Sequence, residues 1–247
     1  MSDIATSTIP NPNVTRIERL AGWFSRHWLG VFALLYGIFV GLPFLAPVAM
    51  HFGWVVLGRD IYFFYSFLCH QLPERSFFLF GAQPMYSLSQ VQAVWRSGND
   101  PLLIRQFIGN TQMGWKVAWS DRMVSMYTSV LLFGLLWWPF RKWVKPLPWW
   151  GFIFLLMPMT IDGTTHLISD LFGIEQGFRQ SNLWLVELTG NVFPPSFYAG
   201  NALGSFNSWM RLISGLLFGL AVVWFSFPYL EAWLGEIAGN TDLSSGQ

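Results

Sequence analysis

The chain has 247 residues, of which 53% are hydrophobic and only 11% charged, with a mean hydropathy of +0.41 and a formal net charge of +1. Soluble domains carry about 25% charged residues, so an ordinary soluble enzyme is excluded. A near-neutral charge likewise gives no footing for nucleic acid or a polybasic lipid patch. What remains is an integral membrane protein with the lipid bilayer as its first partner.

In chain order, a polar leader over residues 1–27 carries Arg16, Arg19 and Arg26 and gives way to an apolar run from Trp28 to Ala49. That run exceeds the roughly 7–15 residues of a signal-peptide core, so it reads as an uncleaved first span. Residues 52–70 are apolar at both ends but hold Arg59 and Asp60 in the middle. Three further runs, 117–140, 149–168 and 212–230, are each about 20 residues, enough to cross about 30 Å of hydrocarbon. Val31–Val40 and Val130–Trp138 are apolar on every side, as lipid-embedded helices are, where barrel strands would alternate. Trp28, Trp138, Trp149 and Trp150 sit near their ends, the usual place of interfacial aromatics.

Charge decides the topology. The two densest basic flanks are Arg16/Arg19/Arg26 and Arg141/Lys142/Lys145, and short cytoplasmic flanks collect such residues. Both fall on one side only if residues 52–70 do not cross. The sequence therefore predicts an all-α, polytopic helical membrane protein with about four transmembrane helices, while a five-span arrangement stays open. One transmembrane domain spans 28–230, with an extracytoplasmic cap of short helices at 50–116, a long loop at 173–208, a tail at 231–247 and both termini cytoplasmic. Within the cap, Ile61–Cys69 reads as a short aromatic helix lying on or dipping into the bilayer and too short to span it. Ser87–Ser97 and Pro101–Ile108 read as weaker helices, separated by a break at Gly98-Asn99-Asp100. Residues 1–14 and 241–247 read as flexible ends, and no internal repeat is present.

Polar groups beside or within the membrane mark the candidate site, because they are costly there unless paired or used. Cys69, the single cysteine, opens the run Cys69-His70-Gln71-Leu72-Pro73-Glu74-Arg75-Ser76-Phe77. Pro73 ends the helix before it and puts Glu74 and Arg75 in a turn, where a solvated pair is the plain reading. The run 117–140 carries Asp121 and Arg122, followed by Ser125, Thr128 and Ser129. Asp121, Ser125 and Thr128 form one stripe, with Arg122 and Ser129 on the next. With Lys116 opening that helix, its charges lie about one turn deep and can snorkel. The sharper reading pairs Arg122 with Asp162 or Glu74. Asp162, His166 and Ser169 stand at i, i+4 and i+7 and so share a face. That face is either a polar helix end reaching water or an acid and an imidazole placed to relay a proton.

These residues resemble a known family, the domain of unknown function 2085, a group of prokaryotic membrane proteins. Three blocks carry the resemblance: Cys69 to Phe77; Ser120-Asp121-Arg122-Met123 leading to Tyr127; and Asp162-Gly163-Thr164-Thr165-His166, followed by Arg179, Ser181-Asn182 and Leu188-Thr189-Gly190. Family members commonly have Cys-x-Arg-Cys in the second block, where this chain has Ser120 and Met123. A thiolate-rich metal site, which needs several such ligands, is therefore not expected. The third block usually ends in glutamine, where this chain has His166. The resemblance implies architecture and the location of a site, and it brings no activity with it.

The expected site is thus a polar mouth on the outer face, shaped for a lipid-like or anionic ligand. Arg75, Asp121, Arg122, Arg179 and Asn182 are its candidate ligand-binding residues, and His70, Glu74, Asp162 and His166 are the candidates for any catalysis. Whether the protein is an enzyme, and with what cofactor, is left open. The alternative is a non-catalytic subunit or assembly factor with a partner in a larger membrane complex. A small carrier is least favoured, because four spans without repeats make alternating access hard to build.

Overall fold

The computed structural model describes residues 16–95, 100–173 and 176–245. Four helices in it are long and apolar enough to cross a membrane: α1 (Arg16–His51), α5 (Asp121–Phe140), α6 (Trp149–Asp170) and α10 (Phe206–Ser245). Helix α10 is the hub, packing on α5 most extensively and also on α6 and α1. The run holding Arg59 and Asp60 forms α2 (Val55–Ser66), which is about 18 Å long and too short to span. Its buried side, Gly58, Ile61, Tyr62 and Tyr65, faces the core, while Val56, Phe63 and Phe64 are exposed.

Glu231 joins the start of the first apolar run to the end of α5. Glu231 of α10 accepts from Trp28 Nε1 at 3.1 Å and from Arg141 Nη1 at 3.0 Å. The start of the first apolar run and the α5–α6 loop therefore lie at the same level. This is the geometry expected when residues 52–70 do not cross.

Several boundaries differ from the sequence reading. Helix α1 begins well before Trp28, because its amphipathic first turns continue the apolar helix without a break. Helix α10 likewise runs through the expected tail as far as Ser245. The flexible end expected at 1–14 lies outside the described residues, as does most of the break at Gly98-Asn99-Asp100. The two cap helices are shorter than expected, α3 (Leu88–Val94) and α4 (Pro101–Ile104). The long loop folds into three short helices, α7 (Phe178–Ser181), α8 (Leu183–Thr189) and α9 (Pro195–Tyr198).

A small sheet was not anticipated. Strands β1 (Ser76–Leu79), β2 (Gly109–Asn110) and β3 (Gly114–Ser120) form an antiparallel sheet in the order β1-β3-β2, with Ser76 opposite Ser120 and Phe78 opposite Lys116. Asn110 closes the β2–β3 turn, its Oδ1 accepting from the backbone N–H groups of Gln112 at 2.9 Å and Met113 at 2.7 Å. The span expected to begin at 117 therefore begins at Asp121, and Lys116 is a strand residue.

Lys116 is completely buried in that strand. Its Nζ donates to the backbone carbonyls of Gln71 at 2.6 Å and Arg105 at 2.7 Å, and Tyr62 donates its hydroxyl to the Lys116 carbonyl. Burial pushes the ammonium down to about 7, and two of its N–H groups meet those two acceptors. One side chain thus fastens the Cys69 run to the segment after α4.

Candidate functional site

The Cys69 run leaves α2 and turns sharply at Gln71, whose φ of 52° lies in the left-handed region. Cys69 Sγ accepts from the backbone N–H groups of Gln71 at 3.3 Å and Ser120 at 3.4 Å. The first block is thereby fixed against the second, where β3 hands over to α5. A 3-10 turn, Pro73–Arg75, follows.

In that turn Glu74 and Arg75 do not form the solvated pair expected. The Glu74 side chain is fully buried and lies 3.9 Å from Arg75 Nε. Arg75 instead forms a bidentate pair with Asp170 at the end of α6, at 2.8 Å and 2.7 Å, the geometry in which a guanidinium and a carboxylate match best. The cap is thus tied to a membrane helix.

Asp162 organises the next cluster. Its Oδ2 accepts from Arg122 at 2.7 Å and its Oδ1 from Arg179 at 2.6 Å. Of the two partners foreseen for Arg122, the one it takes is Asp162. Asp162, His166 and Ser169 are all buried, as their shared face predicts. The imidazole does not bond the acid directly: His166 Nε2 lies 3.8 Å from Asp162 Oδ1 and 3.1 Å from Arg179 Nη2. A guanidinium can only donate, so Nε2 is the acceptor and His166 is the neutral Nδ1–H tautomer. The direct acid–imidazole relay read from the sequence is not formed, because Arg179 stands between its two groups.

Asn182 sits elsewhere. It is fully buried, with φ 44°, and Nδ2 donates to the carbonyls of Arg179 at 2.8 Å and Tyr198 at 2.7 Å. Asn207 gives the same Arg179 carbonyl a second bond at 2.6 Å. Both amides hold the α7 backbone that delivers Arg179, and neither lines the cavity described next.

Besides Asp170, the charged lining residue that the sequence reading missed is Arg211. Its Nε donates to Asp121 Oδ2 at 2.7 Å, and its Nη groups reach Asn201 Oδ1 at 3.0 Å and the Asn201 carbonyl at 3.1 Å. It lies one residue before the run that began at Leu212, a position that looks like an ordinary interfacial flank. The signal was one and two turns further on. Gly215 and Gly219 of α10 face Ser125 and Ser129 of α5, a small-xxx-small spacing on each helix. Ser125 donates to the Leu212 carbonyl at 2.7 Å and Ser129 to the Gly215 carbonyl at 3.0 Å. The buried stripe of α5 is therefore Asp121, Ser125 and Ser129, and Thr128, expected on it, is exposed.

Between these groups lies a cavity of about 290 Å³. Arg75, Arg122 and Arg211 reach it together with Asp121, Asp170 and His70, while Leu72, Pro101, Met123 and Leu167 supply apolar wall. Three guanidinium groups thus meet two carboxylates in the lining. Arg122 Nε is buried without a hydrogen-bond partner among the described residues. Leu167 is 65% exposed on the outer side of α6, so one wall adjoins the surface that faces lipid. Asp162, His166 and Arg179 stand behind the lining, and Cys69 contributes to it.

Four long apolar helices, with an arginine-rich cavity where they meet a small capping sheet, define a multi-pass membrane protein. The comparisons agree. A family model described as predicted membrane protein DUF2085 matches residues 111–225. An uncharacterised protein of Methanocaldococcus jannaschii is 30% identical over 145 residues, covering 56% of this chain and 69% of that protein. The chain belongs to this family of predicted membrane proteins. The matched stretch takes in the second and third blocks and begins beyond the Cys69 block. No solved structure matches the chain.

Proposed function

We propose that the protein binds an anionic, lipid-like ligand in the 290 Å³ cavity, which faces the extracytoplasmic side of the cell membrane. The observation that supports this reading is the lining itself. Each lining arginine is paired with a carboxylate, Arg75 with Asp170, Arg122 with Asp162 and Arg211 with Asp121. Arg122 Nε nonetheless keeps an N–H without a hydrogen-bond partner among the described residues, a donor for an anion, and the apolar wall with Leu167 at its edge suits the glyceride part of a lipid. A volume of this size matches a headgroup. The two basic flanks at the opposite end support a cytoplasmic location for that end, since short cytoplasmic flanks collect Lys and Arg.

Moving the single cysteine by one position tests both parts. With Cys69→Ala and His70→Cys combined, a membrane-impermeant maleimide is expected to label intact cells. In nanodiscs, dihexanoyl phosphatidylglycerol is expected to slow that labelling and dihexanoyl phosphatidylcholine to leave it unchanged. Labelling only after permeabilisation would overturn the orientation. Equal slowing by both lipids, or by neither, would overturn the anionic ligand.

One observation favours a second reading, a non-catalytic subunit of a larger membrane complex. Both oxygens of Asp162 are taken by guanidinium groups, which leaves that acid committed to structure. On this reading, gently solubilised membranes show the protein on native gels in an assembly far larger than one chain. Migration at single-chain size counts against it.

A further inference from the structure

Adjoining the arginine cavity is a second, much smaller one of about 10 Å³, with room for a single water-sized particle. Arg75 and Asp170 stand in the wall of both cavities, and His166, Ser169, Arg179 and Asn207 help to close the smaller one. We infer that the small cavity binds one water molecule, which accepts from the Nε–H groups of Arg75 and Arg179 and so bridges the cap, α6 and α7.

The two guanidinium groups supply the reason. Arg75 gives Nη1 and Nη2 to Asp170, and Arg179 gives Nη2 to Asp162 and His166. Their Nε atoms are left over, and both are buried without a hydrogen-bond partner among the described residues. Arg75 Nε lies 3.9 Å from Glu74 Oε1, beyond hydrogen-bond reach. The Arg179 side chain is 8% exposed and that of Arg75 14%, so bulk solvent does not serve these groups. A buried N–H left without an acceptor is costly, more so on a charged group. A buried water needs about 10–15 Å³ of such room and two to four polar partners. Here two N–H groups can donate to it, and Ser169, Asp170 and Asn207 carry oxygens that can accept from it.

Size and charge select water over an ion. A halide is larger than the space and calls for an excess of positive charge, whereas each of these guanidinium groups already has its carboxylate, Arg75 with Asp170 and Arg179 with Asp162. A cation would meet two N–H donors. The bridge also steadies the larger cavity, because it holds Arg75 by the one N–H group that Asp170 does not take.

The test is synchrotron radiolysis of the full chain in nanodiscs, which oxidises side chains beside an ordered water even where they are buried. His166, 4% exposed and in the wall of the small cavity, is expected to be oxidised faster than Trp119, which is 0% exposed and outside that wall. Arg75→Lys keeps a cation for Asp170 but has no Nε–H. It is expected to bring His166 oxidation down to the Trp119 level and to leave that of the exposed His70 unchanged. Crystals grown in sodium bromide identify the occupant: density within hydrogen-bond reach of both Nε atoms, without a bromine anomalous signal, is expected. An anomalous peak there overturns the inference in favour of a halide, and a site without density overturns it outright. So does wild-type His166 that oxidises no faster than Trp119, or oxidation that Arg75→Lys leaves unchanged. Should Arg75→Lys fail to fold, the wild-type measurements decide alone.

Discussion

Replacing Asp162 by asparagine is expected to cost the fold about 3–5 kcal/mol, the range for a buried ion pair that loses one partner. Asp162 is fully buried and serves two cations, Arg122 and Arg179, whose side chains are 18% and 8% exposed. An amide keeps the shape and cannot neutralise either one. The loss reaches beyond α6, because Arg179 is brought in by α7 and Arg122 belongs to α5. Thermal unfolding in a mild detergent measures it. A companion variant separates charge from shape: Asp162→Leu with Arg122→Met and Arg179→Met removes all three charges and is expected to be more stable than Asp162→Asn alone, as apolar replacements of buried ion clusters often are. An unchanged midpoint in Asp162→Asn would refute the central role given to this carboxylate.

The second large effect lies in the seam between α5 and α10. A Cβ added at Gly219 would stand 2.7 Å from Ser129 Cβ and 2.7 Å from the Val130 backbone nitrogen, and one at Gly215 would stand 2.7 Å from Ser125 Cβ. Backbone cannot step aside as the end of a flexible side chain can. Gly219→Ala is therefore expected to cost about 1–3 kcal/mol by overpacking, and Gly219→Leu to prevent α10 from seating. Since α10 also carries α6 and α1, the yield of monodisperse protein after detergent extraction is the direct readout. Gly235→Leu, on the same helix at a position where a Cβ would meet nothing within 4 Å, is expected to behave as wild type. Equal yields for Gly219→Leu and Gly235→Leu would dismiss the seam.

Much of this architecture could be read from residues, and the failures have physical causes. The four long helices were legible because about 20 apolar residues have few alternatives in a bilayer. Arg59 and Asp60 marked a segment whose helix, α2, is too short to span. A carboxylate partner for Arg122, Asp162 or Glu74, followed from the cost of leaving the charge unpaired, and the structure supplies Asp162. Strand β3 was missed because Val117 to Ser120 is apolar enough to be taken into the following helix, and only Gly114 and the turn-forming Asn110 mark the strand. Glu74 and Lys116 were placed near water by their charge, yet tertiary contacts bury both. Arg211 was passed over because position alone made it a flank, and its meaning came from Asp121, 90 residues earlier in the chain. Arg179 entering between Asp162 and His166 depends on the path of a loop, which periodicity does not encode.

The α5–α10 seam also limits how this protein can vary in length. Asp121, Ser125 and Ser129 on one helix and Arg211, Gly215 and Gly219 on the other repeat every four residues and run in the same direction. A single residue inserted between Arg211 and Gly215 would turn the upper part of α10 by about 100° against the lower. The guanidinium would leave Asp121 while the glycines stayed seated, or the glycines would unseat while the ion pair held. The stretches 121–129 and 211–219 are therefore a fixed ruler setting the depth of the arginine cavity.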